Sequence, residues 1–116
     1  MRIHYLEVVT PDIAAVCETY AQTQGLRFGE PDPALGGART ANLPGGGMVG
    51  VRGPLRESEA PIVRHYAAVA DIASAVETAQ ASGAIVALPP MPLPGHGQCA
   101  IVIQGGVEIG FWQLEE

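Results

Sequence analysis

Setting Asp12 over Asp71 brings Asp-Ile-Ala at 12–14 over Asp-Ile-Ala at 71–73, and Glu-Thr at 18–19 over Glu-Thr at 77–78. This internal repeat is the strongest constraint on the fold. A chain of 116 residues has room for one domain's core, so the two copies are half-sized units of a single domain, not two independent ones. Each copy follows one plan. A run of β-branched and aromatic residues (3–9 and 62–69) leads into a helical pattern, and then into more short strands.

The first helical stripe is Ile13, Val16, Cys17 and Tyr20; the second is Ile72, Ala75, Val76 and Ala79. Both follow i, i+3, i+4, i+7, the spacing of an apolar face laid on a sheet. Thr10-Pro11-Asp12 marks the first start, with Pro11 suited to the first helical position, and Asp71 is the expected N-cap of the second. Gly25 and Gly83 mark the stops. Strands are expected at 26–29, 37–43 and 47–52 in the first copy, with Pro44-Gly45-Gly46-Gly47 as a hairpin tip. In the second they are expected at 84–88, 97–104 and 107–114, with Gly105-Gly106 as the last turn. The order β-α-β-β-β therefore occurs twice, in modules 1–54 and 60–116. Residues 53–61, GPLRESEAP, read as the linker, and LPPMPLPGHG (88–97) reads as a rigid crossing loop. The glycines at 45–47 are no phosphate cradle, because no helix start follows them.

Composition narrows the partners. Hydrophobic residues make up 47% of the chain and charged ones 16%, which is the balance of a packed protein. The formal charge of −6 leaves few cations to meet a phosphate backbone, so nucleic acid is excluded as a partner and a neutral or cationic small ligand is favoured. Cys17 and Cys99 lie in apolar runs with no metal-binding spacing and read as buried thiols. Neither a leader pattern nor a run long enough to span a bilayer is present, so the expected setting is the cytoplasm, with no membrane partner.

The duplicated plan resembles the vicinal oxygen chelate superfamily of glyoxalases, extradiol dioxygenases and bleomycin-resistance proteins. The likeness spans the whole chain. It is carried by LEVVTPDIAAVCETY in the first half and YAAVADIASAVETAQASGAIVALPPMPLPGHGQCAIVIQGGVEIGFWQ in the second. It implies an α+β fold in which two βαβββ modules form a cupped mixed sheet with helices outside, and it implies a homodimer. The enzymes it resembles place a His on the first strand of each half, seven residues before the helix-opening Asp, and a Glu on the last strand.

In this chain those three positions hold Tyr5, Arg64 and Gly110, and the equivalent strand of the first half offers Gly50 as a fourth. His4 and His65, each followed by Tyr, look like a matched pair but lie eight and six residues before their Asp. Alternation along a strand turns both imidazoles toward the helices, with Leu6, Val8, Ala67 and Val69. A set of two glycines, a tyrosine and an arginine is no site for a divalent metal, so no metal and no cofactor are expected.

The same alternation places Tyr5, Glu7, Val9, Met48, Arg52, Arg64, Tyr66, Glu108 and Trp112 on the concave face. Aromatic area with a few convergent charges is what a small-molecule pocket needs, and tyrosines and Trp112 can stack on a planar or cationic group. Alternatively, Arg64 simply pairs with Glu7 or Glu108. His96, in the Pro-Gly-His-Gly turn, is the imidazole best placed near a cup mouth. The expected function is binding of a small, cationic organic ligand, in sequestration or resistance. The alternatives are a lyase, isomerase or dioxygenase of the same superfamily, and an interaction subunit that dimerises through its sheet.

Overall fold

A computed structural model describes residues 1–115. The chain forms two compact units, one of Tyr5–Val63 and the other of Met1–His4 with the chain from Arg64 onward. The first is built from β1 (Ile3–Val9), α1 (Ile13–Gln24), β2 (Pro31–Asp32), a 3-10 turn (Pro33–Leu35), β3 (Ala38–Asn42) and β4 (Met48–Arg52). Its strands lie in the order β2-β3-β4-β1, with β1 and β4 parallel and the other pairs antiparallel. The second contains β5 (Ile62–Ala68), α2 (Ile72–Ala81), β6 (Ile85–Leu93), β7 (Gly97–Gln104) and β8 (Val107–Gln113). Their order, β5-β8-β7-β6, repeats the pattern: the first strand runs parallel to the last, and antiparallel hairpins make up the rest. The α+β duplication legible in the sequence is therefore real.

Local chemistry explains the element ends. Asp12 and Asp71 each cap a helix by accepting the backbone N–H of the third residue on, Ala15 at 3.3 Å and Ser74 at 3.1 Å. Pro11 lies just before the cap, not at the first helical position. Gly25 closes α1 with φ 68°, a left-handed conformation that only glycine adopts without penalty, and its N–H bonds Ala21 O at 3.0 Å.

Each helix covers one face of its own sheet. Under α1 lie Val8, Cys17, Leu26, Ala41, Val49 and Val51, flanked by Leu6, Ile13, Val16 and Tyr20. Under α2 lie Ile72, Val76 and Ala100, flanked by Val69, Val86 and Phe111. Cys17 and Cys99 are both buried. Among the described residues, no helix is long and apolar enough to cross a membrane.

Two expectations are corrected. Residues 26–29 form no strand. Leu26 is spent on the core under α1, and the ladder to β3 begins only at Pro31–Asp32, after a single backbone bond from Gly29 N–H to Thr40 O. Residues 88–93 form no loop, because β6 runs through Pro89, Pro90 and Pro92 to Leu93. It is an edge strand whose register shifts twice, and at such shifts and on the solvent side of an edge strand a missing N–H costs no ladder bond. Residues 53–61 join β4 to β5 without a helix or strand, and Glu59 within them accepts from Arg52 of β4.

Candidate functional site

Leu6 and Val8 pack under α1, so Tyr5, Glu7 and Val9 look out from the opposite face of the first unit's sheet. They are almost wholly covered there: Tyr5 is 2% exposed, Glu7 7%, and Arg52, from β4, 5%. Tyr5 leans along β4. A Cβ added at Gly50 would overlap its hydroxyl and lie 2.5 Å from Cζ, so glycine is what admits the ring. Burial, reinforced by Glu7 and opposed by Arg52, pushes the phenol well above its ordinary range, and it stays protonated. Met48, half-buried, is Tyr5's direct partner in the register.

Arg52 is held on every side. Its Nε donates to Glu7 Oε2 at 2.8 Å, Nη1 to Glu59 Oε1 at 2.9 Å, Nη2 to Glu59 Oε2 at 2.8 Å, and Nη1 also to Gly53 O at 3.1 Å. The hydrogen bonds that Arg52 donates to Glu59 outweigh the burial that opposes the charge and, with Glu7, hold the guanidinium protonated.

In the second unit, Phe111 packs under α2, so Glu108 and Trp112 look the other way, as do Arg64 and Tyr66. Arg64 Nε donates to Glu108 Oε2 at 2.5 Å; the Glu108 side chain is 33% exposed, so this pair is wetter than the one at Arg52. Tyr66 crosses Gly110 as Tyr5 crosses Gly50: a Cβ at Gly110 would meet Tyr66 Cδ2 at 2.6 Å and His65 O at 2.5 Å. Trp112 lies edge-on to Tyr66, with centroids 5.7 Å apart, and its indole N–H donates to His96 O at 3.0 Å.

The structure thus gathers Tyr5, Glu7, Met48 and Arg52 in one unit, and Arg64, Tyr66, Glu108 and Trp112 in the other. Sequence reasoning missed Glu59, which carries no periodic signal, and the contact of His96 with Trp112, made by its carbonyl and by its ring, centroids 6.3 Å apart. It also missed why Gly50 and Gly110 are glycine, although a glycine inside a strand is the usual sign of a close approach. The placement of His4 needs correcting. Its ring does not join Leu6 and Val8 but packs on Trp112, centroids 5.2 Å apart, because residues 1–4 belong to the second unit, where Ala68 N–H bonds Arg2 O. His4 Nδ1 is buried without a hydrogen-bond partner among the described residues. Burial, then Arg2 and His96, lowers its pKa. His65, offset by one from Tyr66, stays on the α2 side as expected.

Among the described residues, no three His, Cys, Asp or Glu side chains converge to hold a metal ion. The positions that the superfamily's enzymes use for ligands do not fit one either. Two are glycines that admit tyrosine rings, one is a protonated phenol, and one is an arginine bonded to Glu108.

No protein-family model matches this sequence, and no curated protein does. Solved structures do match, over the whole chain. A hypothetical protein from Bacillus halodurans superposes with a TM-score of 0.80 at 17% identity, covering 99% of this chain and 95% of that one. Methylmalonyl-CoA epimerase from Mycobacterium tuberculosis gives 0.78 at 15% identity, over 99% and 89%. A Streptomyces coelicolor methylmalonyl-CoA epimerase variant in complex with 2-nitronate-propionyl-CoA gives 0.73 at 18%, over 100% and 99%. Identities this low carry the fold and no more. The chain has the fold of the vicinal oxygen chelate superfamily.

Proposed function

We propose that this protein binds a small organic molecule and does so without a resident divalent metal ion, as a sequestering protein would. The observation that carries the reading is the seating of Tyr5 across Gly50: at the first-half counterpart of the donor position that the resemblance implies on the last strand, this chain needs the absence of a side chain. The covered faces support it. Each unit holds aromatic rings beside charged groups that are already oriented, the combination by which a pocket gives both affinity and orientation. The contact residues in this reading are Tyr5, Glu7, Met48 and Arg52 from one unit and Arg64, Tyr66, Glu108 and Trp112 from the other, in a protein that acts as a homodimer.

The test is a panel of neutral, cationic and anionic organic molecules, followed by Trp112 fluorescence and calorimetry, with and without excess chelator. Saturable binding that survives the chelator is expected. Binding that disappears with chelator and returns with added metal contradicts the reading. A second reading, isomerisation of an acyl-CoA, takes its support from the whole-chain likeness to epimerases. Proton exchange at the α-carbon of methylmalonyl-CoA at enzymatic rates, without added metal, would replace the binding reading with that one.

A further inference from the structure

Arg52 has a guanidinium fork already filled from within the chain. Glu59 lays both carboxylate oxygens against it, at 2.9 and 2.8 Å, while Glu7 takes the remaining Nε edge. These two acids are not held alike. Glu7 stands on β1, inside a parallel ladder. Glu59 comes from the irregular segment between β4 and β5, bounded by Pro54 and Pro61, where Leu55 is 68% exposed. Its side chain is 16% exposed against 6% for Arg52, so it lies on the outer side of the guanidinium. Two of the bonds around it are local to that segment: Leu55 N–H to Glu59 Oε1 at 2.7 Å, and Glu59 N–H to Arg56 O at 3.0 Å.

The planar fork of an arginine matches any carboxylate with two parallel N–H···O bonds. Exchanging Glu59 for the carboxylate of another molecule keeps those bonds and the local balance of one cation against two anions. What it requires is release of an irregular segment in which two of the bonds around Glu59 are local, whereas Glu7, on a ladder strand, continues to fix the orientation of the fork. We infer that Arg52 is a binding site for the carboxylate of an organic ligand, with Glu59 as its displaceable internal occupant. The inference rests on the small-molecule reading and narrows it to an anion, against the cation that the net charge alone suggests. Glu59 then acts as a latch, whose departure frees the segment 53–61.

Propionate and benzoate, with propionamide and benzamide as uncharged matches, are titrated into the full chain and into Glu59→Ala, Glu59→Gln and Arg52→Gln, followed by NMR shifts. The acids should bind at least ~10-fold tighter than the amides, since an amide leaves one N–H of the fork without its charged acceptor. Removing the latch should tighten acid binding a further ~10-fold, because the competent state no longer competes with Glu59. Glu59→Gln keeps the shape of the segment and should move in the same direction, which covers misfolding of the Ala variant. Arg52→Gln should lose the preference for acids. Equal binding of acid and amide, or no gain in either Glu59 variant, overturns the carboxylate site and leaves the wider reading standing. Silence of all four probes in every folded variant overturns it too, and the broad ligand panel then judges the small-molecule reading separately.

Discussion

The two units share a strand order and a helix placement, yet they fill the strand faces turned away from their helices with opposite polarity. In the unit Tyr5–Val63 the acid, Glu7, stands on the first strand and the base, Arg52, on the last. In the other, the base, Arg64, stands on the first strand and the acid, Glu108, on the last. Both place a tyrosine across a glycine of the neighbouring parallel strand, but at different offsets: Gly110 lies directly opposite Tyr66, whereas Gly50 lies opposite Glu7 and is reached by Tyr5 leaning along the strand. Duplication therefore preserved the scaffold and the device of a ring over a bare strand, while the charges were rearranged. The first unit's charges became a buried, three-residue network. Those of the second remained a half-wet pair.

Burial should set the sizes of the effects. Arg52→Ala leaves Glu7 and Glu59 without their cation in a covered site and should cost about 4 kcal/mol in chemical denaturation. Arg64→Ala should cost about 1 kcal/mol, because Glu108 reaches water. Equal costs would erase the distinction between the units.

The glycines sharpen it next. Gly50→Ala should cost about 3 kcal/mol through the clash with Tyr5, and most of that cost should vanish in a Tyr5→Ala background, where the obstructing side chain is gone. Gly110→Ala should cost a similar amount that Tyr66→Ala fails to relieve, because the backbone carbonyl of His65 also stands in the way. A double-mutant cycle at each pair measures the difference.

The smallest effect is one of pH. The folded-state pKa of His4 lies below its unfolded value, so under pH 6.5 the unfolded chain binds more protons at this site. The contribution of His4 to stability should therefore be complete above pH 6.5 and shrink as pH falls toward the folded pKa. His4→Phe, which keeps a ring against Trp112, should be flatter than the parent between pH 7.5 and 5 in denaturation midpoints. Parallel curves would remove the role given to His4.

Much of this was legible in the chain. The repeat fixed the topology, the resemblance to the superfamily supplied the phase of the strands, and alternation then put Tyr5, Glu7, Arg64 and Trp112 on the face away from the helices. What was hidden depends on tertiary neighbours that no local pattern records. His4 obeys its own end of β1 because residues 1–4 bond beside Ala68, far along the sequence. The prolines of β6 read as a loop because their tolerance comes from being at an edge, which is a property of the sheet. Glu59 sits in a polar stretch like any solvated acid, and its importance comes from the guanidinium it meets.

Most rests on the proposal that this protein holds no resident divalent metal ion, with Tyr5 seated over Gly50. Metal analysis and calorimetric titration with zinc, nickel, manganese and cobalt, on protein prepared without chelator, address it directly. The expected result is substoichiometric metal as purified and no saturable heat on titration. One tightly held ion per chain, lost when Tyr5 is replaced by Phe, would contradict it.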